Sequence, residues 1–416
     1  MKETGFTALS DSIGDLERRA SDSADKALGT LEYFKILDML ADCAATEGAR
    51  ARALSLRPDH HPERIRKKLA QTSDAKKLAS VKGKPPFGNV KDIGGALERA
   101  EKSAVISTRE LLDIAEVLYV ARRLLDYYNT DRRGELESTS LDEIFGRLQP
   151  DRTLENKITK AIVAEDMIAD EASPELAEIR RKIKAAQNRI RESLQRYVQG
   201  ETYSRYLQDN IITMRNGRYV IPVKAEYKNE IKGLIHDTSA SGATLFIEPM
   251  AVVEANNELR ELESRDQHKI ERILAELSAD CAAVSDVISR DYHAITELAF
   301  IFAKAELSLR LDATAPALTE ERCVELYRAR HPLLDKNKVV PVTILLGKAG
   351  GRDYTTLVVT GPNTGGKTVT LKTVGLFALM AQSGLHIPAD DSSRICVFDK
   401  VLADIGDEQS IEQSLS

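Results

Sequence analysis

Two stretches of apolar residues returning every three or four positions, separated by one in which the period changes, constrain this chain more than any other feature. Leu176, Ile179, Ile183, Ala186, Ile190 and Leu194 form the first seam. Leu259, Leu262, Ile270, Ile273, Leu277, Val284 and Ile288 form the second, with Asp266 as a polar break. Such steps run one apolar stripe along a helix, as in a coiled coil. Ser173 and Pro174 supply the start of the first helix, as N-cap and first-turn proline. Between the seams, Ile211 to Val223 reads as strand, with Asn216-Gly217 a hairpin turn and Pro222 indicating an edge strand. Leu234-Ile235 and Thr244-Leu245-Phe246-Ile247 add strand, and Ser239-Ala240-Ser241-Gly242 is turn chemistry. The pattern predicts two long antiparallel helices with a β-rich tip between them. A helix of about 35 residues is roughly 50 Å long, so the pair makes an arm.

Charge is concentrated on part of that arm. Between Glu175 and Ile235, 13 Lys/Arg stand against 7 Asp/Glu, in a chain whose formal net charge is −6. Arg215, Arg218, Lys224, Lys228 and Lys232 cluster in the expected tip. A regional excess of this kind suits contacts to a phosphate backbone, which are sequence-independent and salt-sensitive. Ordinary solvated charges on a helix face are the alternative reading of the same residues.

Gly361-Pro362-Asn363-Thr364-Gly365-Gly366-Lys367-Thr368 is a complete GxxxxGK(S/T) loop. Thr355-Thr356-Leu357-Val358-Val359-Thr360 before it has the composition of a buried strand. After it, Leu371, Val374, Leu376, Ala378, Leu379 and Ala381 mark a helix. Strand, glycine loop and helix in that order aim backbone N–H groups at phosphate oxygens, at the positive end of a helix dipole. The expected ligands are therefore ATP and Mg²⁺. Lys367 would reach the β- and γ-phosphates and the Thr368 hydroxyl would ligate the metal. Arg394 to Phe398 and Val401 to Ile405 read as two further short strands. Hydrolysis also needs an acidic residue closing an apolar strand. Asp404 and the Asp407-Glu408 pair are late carboxylates, but no run of four apolar residues after Phe398 ends in Asp-Glu. The chain by itself is thus expected to bind ATP poorly and to hydrolyse it worse.

At 416 residues there is room for about two or three domains. Residues 1–29, rich in Ser, Asp and Ala, read as a loosely ordered leader. Leu31, Phe34, Leu37 and Leu40 mark a helix running to about Leu56, and a second is expected over 62–80. Ser107 with Glu110 forms a capping box opening a helix through Tyr128, and helices near 140–148 and 152–168 follow. Only 5% of residues are aromatic, with no Trp, which suits long helices over a β-rich fold. Cys43, Cys281, Cys323 and Cys396 show no CxxC spacing, which points to reduced thiols in a cytoplasm and away from disulfides or zinc. Neither a membrane span nor a signal peptide is expected.

Several of these stretches resemble the MutS family of ATPases. Arg215-Asn216-Gly217-Arg218-Tyr219-Val220-Ile221-Pro222-Val223-Lys224 resembles that family's clamp, as does the stretch from His236-Asp237-Thr238-Ser239 to Phe246-Ile247-Glu248-Pro249. Arg330-His331-Pro332-Leu333-Leu334 resembles the entry to its ATPase domain, and the phosphate loop with His386-Ile387-Pro388-Ala389 its nucleotide site. The similarity is to the second bacterial subfamily, whose members lack the mismatch-reading and connector domains. It implies an α-rich multidomain chain: a helical lever (30–172), a coiled-coil clamp (173–290) with its β tip at 210–249, returning lever helices (291–322) and an incomplete ABC-like ATPase domain (323–416). It also implies a homodimer joined through the ATPase domains. Each nucleotide site would be completed by a Ser-Thr signature of the other copy, whose first letters Ser414-Leu415-Ser416 resemble. The resemblance implies action on branched recombination DNA, or alternatively on collided ribosomes and their RNA. The nuclease chemistry expected of the branch falls on no residue of this chain.

Overall fold

In the computed structural model the described residues are 25–130, 138–349, 351–361 and 366–405. Residues 25–30 are helical, followed by α1 (Tyr33–Ala41), α2 (Glu47–Leu54), α3 (Pro62–Lys82), α4 (Gly94–Glu101), α5 (Thr108–Asn129), α6 (Asp142–Phe145) and α7 (Arg152–Ala161). A hairpin of β1 (Ile162–Ala164) and β2 (Met167–Ile168) leads to α8 (Pro174–Gln199) and the single turn α9 (Glu201–Ser204). Next come β3 (Thr213–Arg215), β4 (Arg218–Lys224), β5 (Gly233–Thr238), β6 (Thr244–Pro249), α10 (Met250–Ala283) and α11 (Ser285–Arg310). β7 (Ala317–Thr319), β8 (Cys323–Ala329), β9 (Val342–Ala349), β10 (Arg352–Tyr354), α12 (Lys367–Gln382) and β11 (Arg394–Cys396) complete the order.

These elements form two compact units. One comprises residues 94–115 and 151–285, and its main feature is the pair α8 and α10. Ser173 caps α8, its hydroxyl accepting from the Leu176 N–H at 3.1 Å. Leu176, Ile179, Ala186, Ile190 and Leu194 of α8 are buried, as are Leu259, Leu262, Ile273 and Leu277 of α10. The helices are antiparallel, because their cross-pairs run in opposite order: Glu175 with Lys269 at 2.7 Å, Arg180 with Asp266 at 3.0 Å, Arg189 with Glu258 at 2.6 Å. The break in the second seam is thereby explained. Asp266 faces Arg180, which also donates to the Ile168 carbonyl at 2.7 Å and to Asp170 at 2.6 Å. The helices span about 39 and 51 Å at 1.5 Å per residue over 26 and 34 residues.

The sheet between them has the order β3-β4-β6-β5. Asn216 and Gly217 both take positive φ, 52° and 71°, the two-residue turn that an Asn-Gly hairpin favours. Pro222 lies opposite Phe246 in an inner strand, not on the expected edge. Pairing with β3 stops at Val220, so the proline's missing N–H removes no bond from that ladder. Ile221, Val223, Ile247, Val252 and Leu207 join Ile190 and Leu194 in one apolar cluster that ties the sheet to the helix pair.

Of the described residues, the other unit comprises 25–93, 116–130, 138–150, 286–349, 351–361 and 366–405. Its mixed sheet has the order β10-β9-β8-β11-β7, with β11 parallel to β7 and antiparallel to β8. One apolar cluster joins Tyr33, Ile36, Leu37 and Leu40 of α1 with Leu307 of α11, Val324 and Leu326 of β8, Ile344 of β9 and Leu376 to Ala381 of α12. The first helices and the phosphate-loop helix thus share a core.

Four boundaries differ from expectation. The leader ends earlier, since Ala27 and Leu28 are buried. The helix expected from Leu31 to Leu56 is broken, because Thr46 caps a new helix, its hydroxyl accepting from the Ala49 N–H at 3.2 Å. The helix expected to reach 168 stops at Ala161 and turns into the β1–β2 hairpin. The second seam is interrupted at Val284, where φ of −125° and ψ of 22° end α10 before Ile288.

Removing the Arg180 guanidinium should destabilise this chain by about 2 kcal/mol, the range for hydrogen bonds to charged groups, as read by urea denaturation. Replacing Arg180 and Asp266 together by leucine should recover most of that loss, because no half-buried charge is then left unpaired.

Candidate nucleotide and nucleic-acid sites

The phosphate loop ends on Gly366, whose φ of 76° is the left-handed conformation that suits glycine. α12 starts at the next residue, and the Lys367 ammonium donates to the Gly361 carbonyl at 2.6 Å. Thr368 is exposed on the first turn. The described part of the expected cradle, Gly361, Gly366, Lys367 and Thr368, therefore stands at a helix N-terminus, where unpaired N–H groups and the dipole favour an anion. Pro362, Asn363, Thr364 and Gly365 lie outside the described residues, as do Asp407, Glu408 and Ser414-Leu415-Ser416.

Deep contacts hold α12. The Lys372 ammonium donates to Glu32 at 3.0 Å, both side chains only 7% exposed, so the charges are mutually compensated. At the other end Gln382 donates to the carbonyls of Asp59 at 2.8 Å and Phe398 at 3.0 Å, and accepts from the Phe398 N–H at 3.0 Å. Ser383 meets the Tyr33 hydroxyl at 2.6 Å.

The flanks differ from the sequence expectation. Thr355 to Thr360 form no strand, and Leu357 and Val358 are 43% and 76% exposed. A strand exists through its ladder, and β10 ends at Tyr354 with no described strand paired to the residues beyond. Val401 to Ile405 likewise form no strand, and Asp404 is exposed.

The two histidine motifs lie against each other, since the Arg330 N–H donates to the Pro388 carbonyl at 2.9 Å. His386 is a core joint: Nδ1 meets the Ser308 hydroxyl at 2.8 Å and Nε2 the Ser73 hydroxyl at 3.0 Å. Burial, reinforced by the charge of Lys76, lowers its pKa to about 4. Burial also lowers His331 to about 4. Asp291, whose carboxylate accepts from the Gln149 N–H at 2.7 Å, is pushed up to about 6 by burial.

At the tip, the five basic residues divide by environment. Arg218 turns inward: it donates to the fully buried Glu248 at 2.9 and 3.1 Å and to Asn257 at 2.6 Å. Glu248 is also contacted by His236, and by Asn256 at 2.7 Å. Arg218, His236 and Glu248, prominent in the clamp-like stretches, thus assemble one polar network in which half-buried cationic and imidazole groups close over the buried carboxylate. Arg215 stacks on the Phe246 ring at 4.1 Å and pairs with Asp237 at 3.3 Å. Lys224 donates to the Arg205 carbonyl at 3.2 Å. Lys228 and Lys232 are exposed. Sequence reasoning missed Arg205, exposed and stacked 4.8 Å over the Tyr206 ring, beside Tyr227 at 5.0 Å from Tyr206. Tyrosines interleaved with the basic run were the available signal.

A model of MutS domain V matches residues 357–416. Over 392 residues, 94% of this chain, it is 48% identical to the endonuclease MutS2 of Acetivibrio thermocellus. It is also 48% identical over 391 residues to the endonuclease MutS2 of Pelotomaculum thermopropionicum, and 45% over 392 residues to that of Clostridioides difficile. The chain belongs to the MutS family. Within that family its similarity is to the MutS2 branch, and it spans about half the length, 49%, of the curated relatives it matches.

Between pH 6.5 and 4 the unfolded chain protonates both imidazoles while the folded chain leaves His331 and His386 neutral, so stability should fall as pH falls through that window. Asp291 opposes this between 3.8 and about 6, as one group against two. Urea midpoints measured from pH 6.5 downward should show the decline, and His386→Gln should flatten it by up to about 1.4 kcal/mol per pH unit.

Proposed function

We propose that this chain is the nucleotide-responsive, phosphate-gripping part of a dimeric MutS-family clamp that acts on branched DNA in the cytoplasm. The observation that carries this reading is a set of exposed cations, Arg205, Lys228 and Lys232, at a β tip mounted on an ion-paired helix pair, in a chain that also has a glycine-rich GxxxxGK(S/T) loop before a helix. The role of the loop is binding. Lys367 and the loop amides hold the phosphates of ATP, and Thr368 ligates the Mg²⁺ that neutralises them. Two copies share a pair of nucleotides, and their approach moves the helix pairs so that the tips close on the duplex backbone. Phosphate contacts give grip without sequence readout. Endonuclease is the printed name of the relatives, and cutting is assigned to no residue of this chain. Among the described residues no helix is long and apolar enough to cross a membrane.

In the full-length gene product, Lys367→Ala should abolish ATP binding and turnover while leaving the circular dichroism spectrum intact; unchanged turnover overturns the nucleotide reading. Lys228→Glu with Lys232→Glu should weaken binding to four-way junctions about 10-fold at low salt and reduce the log–log salt slope by about two. Co-sedimentation with ribosomes, combined with indifference to junctions, would move the same tip to ribosomal RNA.

A further inference from the structure

Cys323 opens β8 and Cys396 closes β11. The β8–β11 register pairs Arg394 with Glu325 and Ile395 with Val324, and one step further it sets Cys396 opposite Cys323. Directly opposed residues of an antiparallel pair point to the same face, with Cα atoms about 4.5–5.5 Å apart. That spacing lies inside the roughly 4.4–6.8 Å that a disulfide spans. A further observation agrees with the register. Both cysteines also border one cavity of about 510 Å³, which Arg322, Lys348 and Asp399 line as well. Neither Cys43 nor Cys281 borders it.

We propose that Cys323 and Cys396 are a redox modification site, a dithiol that low-molecular-weight disulfides convert into a cross-strand disulfide. Cys396, 8% exposed against 2% for Cys323, is the first to react. Its thiolate attacks one sulfur of the small disulfide and expels one thiolate. The Cys323 thiolate then attacks the Cys396 sulfur of the mixed disulfide and expels the second. The protein dithiol loses two electrons and two protons, and the small disulfide becomes two thiols. Burial pushes both protein thiols above their usual range, so the first attack is slow and proximity drives the second. The bridge would staple β11 to β8 two residues before Phe398, whose backbone Gln382 holds at the end of α12.

The test is to treat the folded chain with oxidised glutathione at mildly alkaline pH, quench with an alkylating agent and map peptides by mass. The expected result is loss of two of the four thiols, a cross-linked 323–396 peptide lighter by two hydrogens, and full reversal by dithiothreitol. Cys323→Ser should abolish the cross-link and leave a glutathione adduct on Cys396, while Cys43→Ser should change nothing. Four alkylated cysteines in treated folded protein would overturn the proposal. So would wild-type adducts on single cysteines without the cross-link, or a cross-link formed only in denaturant.

Discussion

Burial of the C-terminal half of α12 on every side is the constraint on which the mixed-sheet unit depends. From Leu376 to Gln382 every residue of that helix is buried, the pattern of a core helix. Its neighbours approach closely: a side chain at Gly375 would place a Cβ 2.8 Å from both Leu31 methyl groups. The buried Lys372–Glu32 pair and the Gln382 clamp on Phe398 hold the two ends. A helix so enclosed cannot shift alone. Any rearrangement at its N-terminus, where Gly366 and Lys367 meet a phosphate in the proposed function, must be shared with α1 and the sheet.

The helix-pair unit answers a different problem with different chemistry. A long thin pair has little interior, and its apolar seam is supplemented by cross-pairs between opposite charges, with Arg180 satisfying Asp266 and Asp170 together. At the tip the interior is polar: Glu248, fully buried, is made tolerable by Arg218, His236 and Asn256. One cationic residue of the hairpin is thereby used for cohesion, and Lys228 and Lys232 remain at the surface.

Much of this was legible locally. Ser173-Pro174, the Ser107–Glu110 capping box and the Asn216-Gly217 turn are each satisfied by atoms a few residues away: the Ser107 N–H donates to Glu110 at 3.0 Å and the Glu110 N–H to Ser107 at 3.3 Å. The seams were readable because a helical stripe repeats along one segment. The segment Thr355 to Thr360 was misread for the complementary reason. Its composition suits a strand, but strand formation requires a partner, and composition cannot state whether one is at hand. Arg218 and Lys228 looked alike for the same reason, since burial depends on Glu248, which lies 30 positions away from Arg218.

By itself the sequence determined where several helices start, which faces are apolar and where the hairpin turns, because backbone sterics and hydrogen bonds within a few residues decide those matters. Tertiary structure alone decided which charges are interior, that α1 and α12 share a core, and that Cys323 faces Cys396. Those outcomes rest on contacts between distant segments, and no spacing rule along the chain encodes them.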